Sequence, residues 1–152
     1  MPRRDDWQTR IKAVEREFLA VRLAMSRLVD ATRRDPTLLR GQVEPRDLGR
    51  ASEALEGTYL IRMFAEFETG LRLYWDAIRD SHPQMKDLVD GLAATRKIPD
   101  DPHKKDAHAV RKYRNSLVHE REDEDVDPLP ISVARSHLCS FFSFLPREWP
   151  DK

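Results

Sequence analysis

Cysteine is nearly absent from this 152-residue chain: Cys139 stands alone. No intramolecular disulfide can form, and a reducing compartment suits such a chain. Glycine is scarce too, with 5 residues, which favours long helices over a turn-rich β fold. No apolar run approaches the roughly 20 residues of a membrane span. The charged start Met1-Pro2-Arg3-Arg4-Asp5-Asp6 lacks the apolar stretch of a signal peptide. A cytoplasmic protein with no membrane association is therefore expected. Excess charge of either sign is also missing, since 27 Lys and Arg balance 27 Asp and Glu. A protein that coats nucleic acid is usually more basic, so any RNA contact must be short and local. Gly41, Gly49, Gly57, Gly70 and Gly91 are isolated, which leaves no phosphate loop or dinucleotide fingerprint. The histidines form no i,i+4 pair: His103 and His108 are five apart, with no further ligand cluster. Neither a metal site nor a cofactor is expected.

What remains is a globular composition, 39% hydrophobic and 36% charged, sized for one domain over residues 1–152 with a core that needs no staple. Trp7, Ile11, Val14, Phe18, Val21, Met25 and Leu28 alternate in steps of four and three, which predicts a first helix over 5–33. Asp35-Pro36 ends it. Residues 37–44 read as a connector. Pro45 then suits a first helical position, and a second helix over 47–80 follows. Its apolar face is Leu60, Phe64, Phe67, Leu71, Tyr74 and Ile78. Gly57 and Gly70 weaken it by up to about 1 kcal/mol each, and His82-Pro83 stops it. A third helix over 84–95 carries Met85, Leu88, Val89 and Leu92. Prolines around residue 100 break the chain. A fourth helix over 105–120 points Ala107, Val110, Tyr113 and Leu117 inward. A fifth starts near Ser132, a plausible N-cap, and Pro146 ends it. Cys139 sits on that helix among apolar neighbours, as a core thiol rather than a nucleophile. The aromatic residues of the second helix repeat at helical spacing, which makes them core rather than a base-stacking surface. No segment alternates with a period of two. The expected fold is all-α, an antiparallel bundle of about five helices.

The fourth helix carries Arg114-Asn115-Ser116-Leu117-Val118-His119, and Asn115 is the only asparagine in the chain. On a helical wheel His108, Lys112, Asn115 and His119 form one polar stripe, with Arg114 on its flank. Arg114 and His119 lie about 7.5 Å apart along the axis and point about 140° apart. Two copies of the helix across a two-fold axis would bring them together more readily than one. Histidine can take a proton from a ribose 2′-hydroxyl or return one to a leaving oxygen. Arginine can clamp the phosphate, and asparagine can orient either group. The bland alternative is a solvated helix face with incidental ion pairs. Lys104, Lys105, Arg111 and Lys112 can steer an RNA backbone, or can simply solvate the start of the helix.

The Arg-Asn-x3-His run resembles the signature of the HEPN family, and the helix count and order resemble that family's bundle, with the motif on a late helix. The resemblance implies a metal-independent endoribonuclease of homodimers, with Arg114 and His119 catalytic and Asn115 supporting them. The motif helices of two protomers would meet in a composite site, and the products would carry 2′,3′-cyclic phosphate and 5′-hydroxyl ends. It further implies a toxin or antiviral defence effector, with an antitoxin or other regulatory protein as partner. A polar residue on the second helix often lies near such a site. Glu68 is the candidate, although an i,i+4 ion pair with Arg72 explains it as well. Two features depart from the pattern. Arg121 stands where some antitoxin-paired members have a modified tyrosine, which puts that route of control in doubt. The acidic run Glu120, Glu122, Asp123, Glu124, Asp125 and Asp127 would repel RNA if it lay over the site. Some members of the family are inactive, so a helical adaptor that dimerises or binds a protein partner is the alternative. A DNA-binding regulator has less support, for want of a recognition-helix signature or a broad basic face.

Overall fold

A computed structural model describes residues 3–119 and 125–151 of the chain. Among these residues the regular structure is entirely helical: α1 (Arg4–Arg34), α2 (Pro45–Ile78), α3 (Met85–Arg96), α4 (Lys105–His119) and α5 (Ile131–Phe142). Each boundary has a local cause. The Asp6 carboxylate accepts the Arg3 backbone N–H at 2.8 Å. Acidic Asp5 and Asp6 open α1, and basic Arg33 and Arg34 close it, each matched to the helix dipole. Beyond α1 the Asp35 carboxylate accepts the Thr37 hydroxyl at 2.6 Å and its N–H at 3.0 Å. These bonds hold Asp35 below the usual carboxylate range. Pro45 takes the first position of α2, as expected. α2 stops at Ile78, two residues short of the expected end, because Arg79 is already extended. α3 ends with Lys97 in the left-handed region at φ 52°, and the Ile98 N–H reaches back to the Ala93 carbonyl. A single wide turn, Asp100–Lys104, with Asp101 extended, leads into α4.

The start of α5 corrects the sequence reading. Ser132 is not its N-cap, because Pro130 precedes the helix and Ile131 is already inside it. The Ile131 N–H instead donates to the Glu56 carboxylate of α2 at 2.9 Å. A side chain from another helix thus does the work that a local hydroxyl was expected to do. α5 also ends at Phe142, ahead of Pro146, and Leu145 stays buried in the turn that follows.

Side-chain pairs give the helix directions. Trp7 lies against Gly70, and the Phe18 and Tyr59 rings are 5.9 Å apart, so α1 and α2 run antiparallel. Arg4 reaches the Leu145 carbonyl and Arg135 pairs with Glu15, so α5 is antiparallel to α1. Leu117 lies beside Gly57, and Arg114 lies over the Phe64 ring, which makes α4 antiparallel to α2. Phe64, Phe67, Phe141 and Phe142 are fully buried and meet edge-on or tilted at 5.6–6.1 Å, near the favoured geometry for aromatic pairs.

The apolar stripe of α1 is buried only from Trp7 to Phe18; Val21, Met25 and Leu28 are half-exposed. Length explains this. α1 has 31 residues and meets only α2 and α5, and α5 has 12. The far half of α1, the connector after it and the start of α2 form an arm with Leu19, Leu23, Leu38 and Val43 exposed. No helix among the described residues is long and apolar enough to cross a membrane.

Candidate functional site

α4 is anchored at its beginning and more open at its end. Ala107 and Val110 are buried, Tyr113 and Leu117 are partly covered, and Val118 and His119 are exposed. The open end borders a groove of about 410 Å³ lined by Arg111, Lys112, Asn115, Ser116, His119, Asp125 and Val126. Four sequence-predicted residues therefore share one surface: Arg111, Lys112, Asn115 and His119.

Arg114 is placed differently. Its guanidinium carbon sits 5.4 Å from the centre of the Phe64 ring, on the α2 side of the helix. Its Nε is buried with no hydrogen-bond partner among the described residues. One terminal nitrogen donates to the Asn115 side-chain oxygen at 3.0 Å. Asn115 thus touches both worlds: it lines the groove and holds Arg114. Ser116, which the sequence did not single out, also lines the groove, and its hydroxyl donates to the Tyr113 carbonyl at 2.7 Å. Burial pushes the Tyr113 hydroxyl up, aided by the nearby Glu56 carboxylate.

The remaining candidates scatter. Arg72 donates twice to one Glu68 oxygen, at 2.9 and 2.7 Å, and its third nitrogen donates to the Pro83 carbonyl. Glu68 is thus held in the i,i+4 pair and does not line the groove of His119. The Lys104 ammonium pairs with Asp100 at 2.7 Å, and that hydrogen bond raises it above the ordinary lysine value. Lys105 lines a second, neighbouring cavity of about 650 Å³ that shares Arg111, Lys112, Asp125 and Val126 with the first. Arg111 and Lys112 therefore form the ridge between the two. Glu120, Arg121, Glu122, Asp123 and Glu124 lie outside the described residues. Of the acidic run, Asp125 lines both cavities and Asp127 the second. Among the described residues that line the first groove, two fixed cations, Arg111 and Lys112, stand with one carboxylate, Asp125.

The second cavity holds pairs that linear sequence could not reveal. His108 Nε2 lies 2.7 Å from Asp90 Oδ1, and His137 Nδ1 lies 3.3 Å from Asp106 Oδ2. Asp90 precedes His108 by 18 residues and comes from α3, so no motif spacing signals it. Burial raises the Cys139 thiol, against smaller opposing effects of Lys12 and Arg135. That environment disfavours the reactive thiolate. Among the described residues no group of three or more His, Cys, Asp and Glu is placed to hold a metal ion. Comparisons with protein-family models, with curated proteins and with solved structures found no match to this chain.

Proposed function

We propose that this chain is a HEPN-type endoribonuclease that cuts RNA in the cytoplasm without a metal, as a toxin or antiviral defence effector restrained by an antitoxin or other regulatory protein. The observation that carries the reading is the position of Asn115. Its side chain lines an open groove beside His119 and, at 3.0 Å, receives a hydrogen bond from Arg114. Asn115 thus contacts Arg114 and shares a groove with His119, at the exposed end of a late helix.

The chemistry is transesterification. The ribose 2′-oxygen attacks the adjacent phosphorus as its proton passes to a neutral imidazole. The bond from phosphorus to the 5′-oxygen breaks, and that oxygen takes a proton from an imidazolium. The products are a 2′,3′-cyclic phosphate and a 5′-hydroxyl. Arginine offsets the charge that builds on the phosphoryl oxygens. One imidazole cannot be base and acid at the same instant, and each protomer brings one His119. A homodimer with two α4 ends facing each other supplies both, together with a second Arg114.

A purified-protein assay on mixed RNA in EDTA tests this. Wild type is expected to cleave and to leave cyclic phosphate ends. His119→Ala and Arg114→Ala are expected to lose cleavage while keeping wild-type helical content. An alanine variant that cleaves at the wild-type rate would sink the proposal.

One observation favours a second reading, the adaptor. Leu19 and Leu23 lie one turn apart on α1 and are 42% and 56% exposed, on the arm that α3, α4 and α5 leave uncovered. Under that reading wild type and His119→Ala are equally inert toward RNA. Replacing Leu23 with glutamate would then disrupt self-association measured by sedimentation.

A further inference from the structure

The ridge residue Arg111 is held in an unusual way. Its Nε donates to His108 Nδ1 at 3.2 Å, while His108 Nε2 lies 2.7 Å from Asp90 Oδ1. Arginine is always a donor, so Nδ1 must be the bare, accepting nitrogen. The ring proton therefore sits on Nε2 and is donated to the Asp90 carboxylate. Both ring nitrogens are used, and the His108 side chain is only 16% exposed. A histidine in this state has neither a lone pair nor a proton to spare for a substrate. Its chemistry is that of a spacer that transmits orientation from one side chain to another.

We infer that Asp90 and His108 form a relay that holds Arg111 as the phosphate clamp of the groove. This inference rests on the ribonuclease reading. Fixing Nε leaves the two terminal nitrogens with four N–H groups, and no hydrogen bond to them is found among the described residues. Two of those groups can meet two phosphate oxygens side by side. Arg114 is less available, with its guanidinium on Phe64 and one nitrogen on Asn115. Arg111 lines the same groove as His119 and Asn115, beside Lys112. A phosphate held there lies next to the imidazole that takes the 2′ proton. The clamp is anchored to α3 through Asp90, so its position depends on how α3 and α4 pack. Asp90 and His108 are positioning residues in this scheme, and Arg111 is the binding residue.

The test uses a hexanucleotide of 2′-O-methyl RNA, which lacks the attacking hydroxyl and so reports binding alone. Arg111→Ala and His108→Ala are each expected to weaken it by about tenfold, in the range seen when a partner that orients a binding group is lost. The double variant is expected to bind no more weakly than Arg111→Ala, since the relay acts only through that arginine. Asp90→Asn keeps an accepting oxygen for Nε2–H and is expected to stay within about twofold of wild type, whereas Asp90→Ala is not. Nitrogen NMR of the His108 ring at neutral pH is expected to show the proton on Nε2. A His108→Ala variant of unchanged affinity, or losses that simply add in the double variant, would overturn the relay alone. A ring protonated on Nδ1 only would do the same. Wild type that binds no oligonucleotide would overturn the ribonuclease reading and the clamp with it.

Discussion

The surroundings of Arg114 contribute little to stability. Its guanidinium over Phe64 gains about 0.5–1 kcal/mol. Its Nε is buried without a partner among the described residues, and leaving such a donor unsatisfied costs about 1–3 kcal/mol. The cost is the larger of the two, so the fold has little to lose if the charge goes. Arg114→Met keeps the stem over Phe64 and removes the orphaned donor. Its thermal midpoint is expected within about 4 °C of wild type, since 1 kcal/mol moves a chain of this size by roughly 2–4 °C. RNA cleavage by the same variant is expected to vanish. A large drop in the midpoint would instead make Arg114 a structural residue. The motif itself could be read from the chain: arginine, the sole asparagine, then histidine. Its division could not. Packing against α2 drew Arg114 toward Phe64, while Asn115 and His119 faced the groove, a split that depends on which side of α4 the bundle covers.

At the scale of elements, helix propensity and tertiary contact pull against each other at two glycines of α2. Both look alike in sequence, each a weak point in a long helix. A Cβ on Gly70 would stand 2.7 Å from Phe142 and 2.9 Å from Trp7, both large core rings. Gly70 therefore sits where α1 and α5 close onto the backbone of α2. A Cβ on Gly57 would meet only the Leu117 side chain, at 3.3 Å. Alanine gains up to about 1 kcal/mol of helix propensity at either site. At Gly70 overpacking costs about 1–3 kcal/mol and wins; at Gly57 a small movement of Leu117 suffices. Thermal unfolding is expected to show Gly70→Ala below wild type and Gly57→Ala level with it or above. The reverse order would contradict the packing of α1 and α5 on α2. The helices themselves were legible to within two residues at most described ends, because apolar spacing and prolines act locally. The N-cap of α5 was not, because Glu56 reaches it from 75 residues away.

For the whole molecule, the proposed reaction depends on two chains. If each His119 serves once, as base or as acid, a hybrid of wild type and His119→Ala has one imidazole where two are needed. Adding a tenfold excess of His119→Ala to wild type, with time for exchange, is expected to suppress cleavage well below that of wild type alone. Equal cleavage with and without the variant would show that a single chain suffices. The same scheme makes specific activity fall on dilution. Zero net charge limits this reading to a short contact at the first groove, where Arg111 and Lys112 stand with Asp125 among the described residues.

The sequence by itself determined the helical class, the order and approximate extent of the helices, most of the buried faces, and a motif at the end of α4. These follow from periodicities and breakers that act over a few residues. Only the tertiary structure decided which candidates meet. It committed Glu68 to Arg72 and Lys104 to Asp100, left the far half of α1 uncovered, and brought Asp90 of α3 to His108 and so to Arg111. Those pairings span separate helices, and their geometry is set by how the apolar faces pack, which no spacing along the chain encodes.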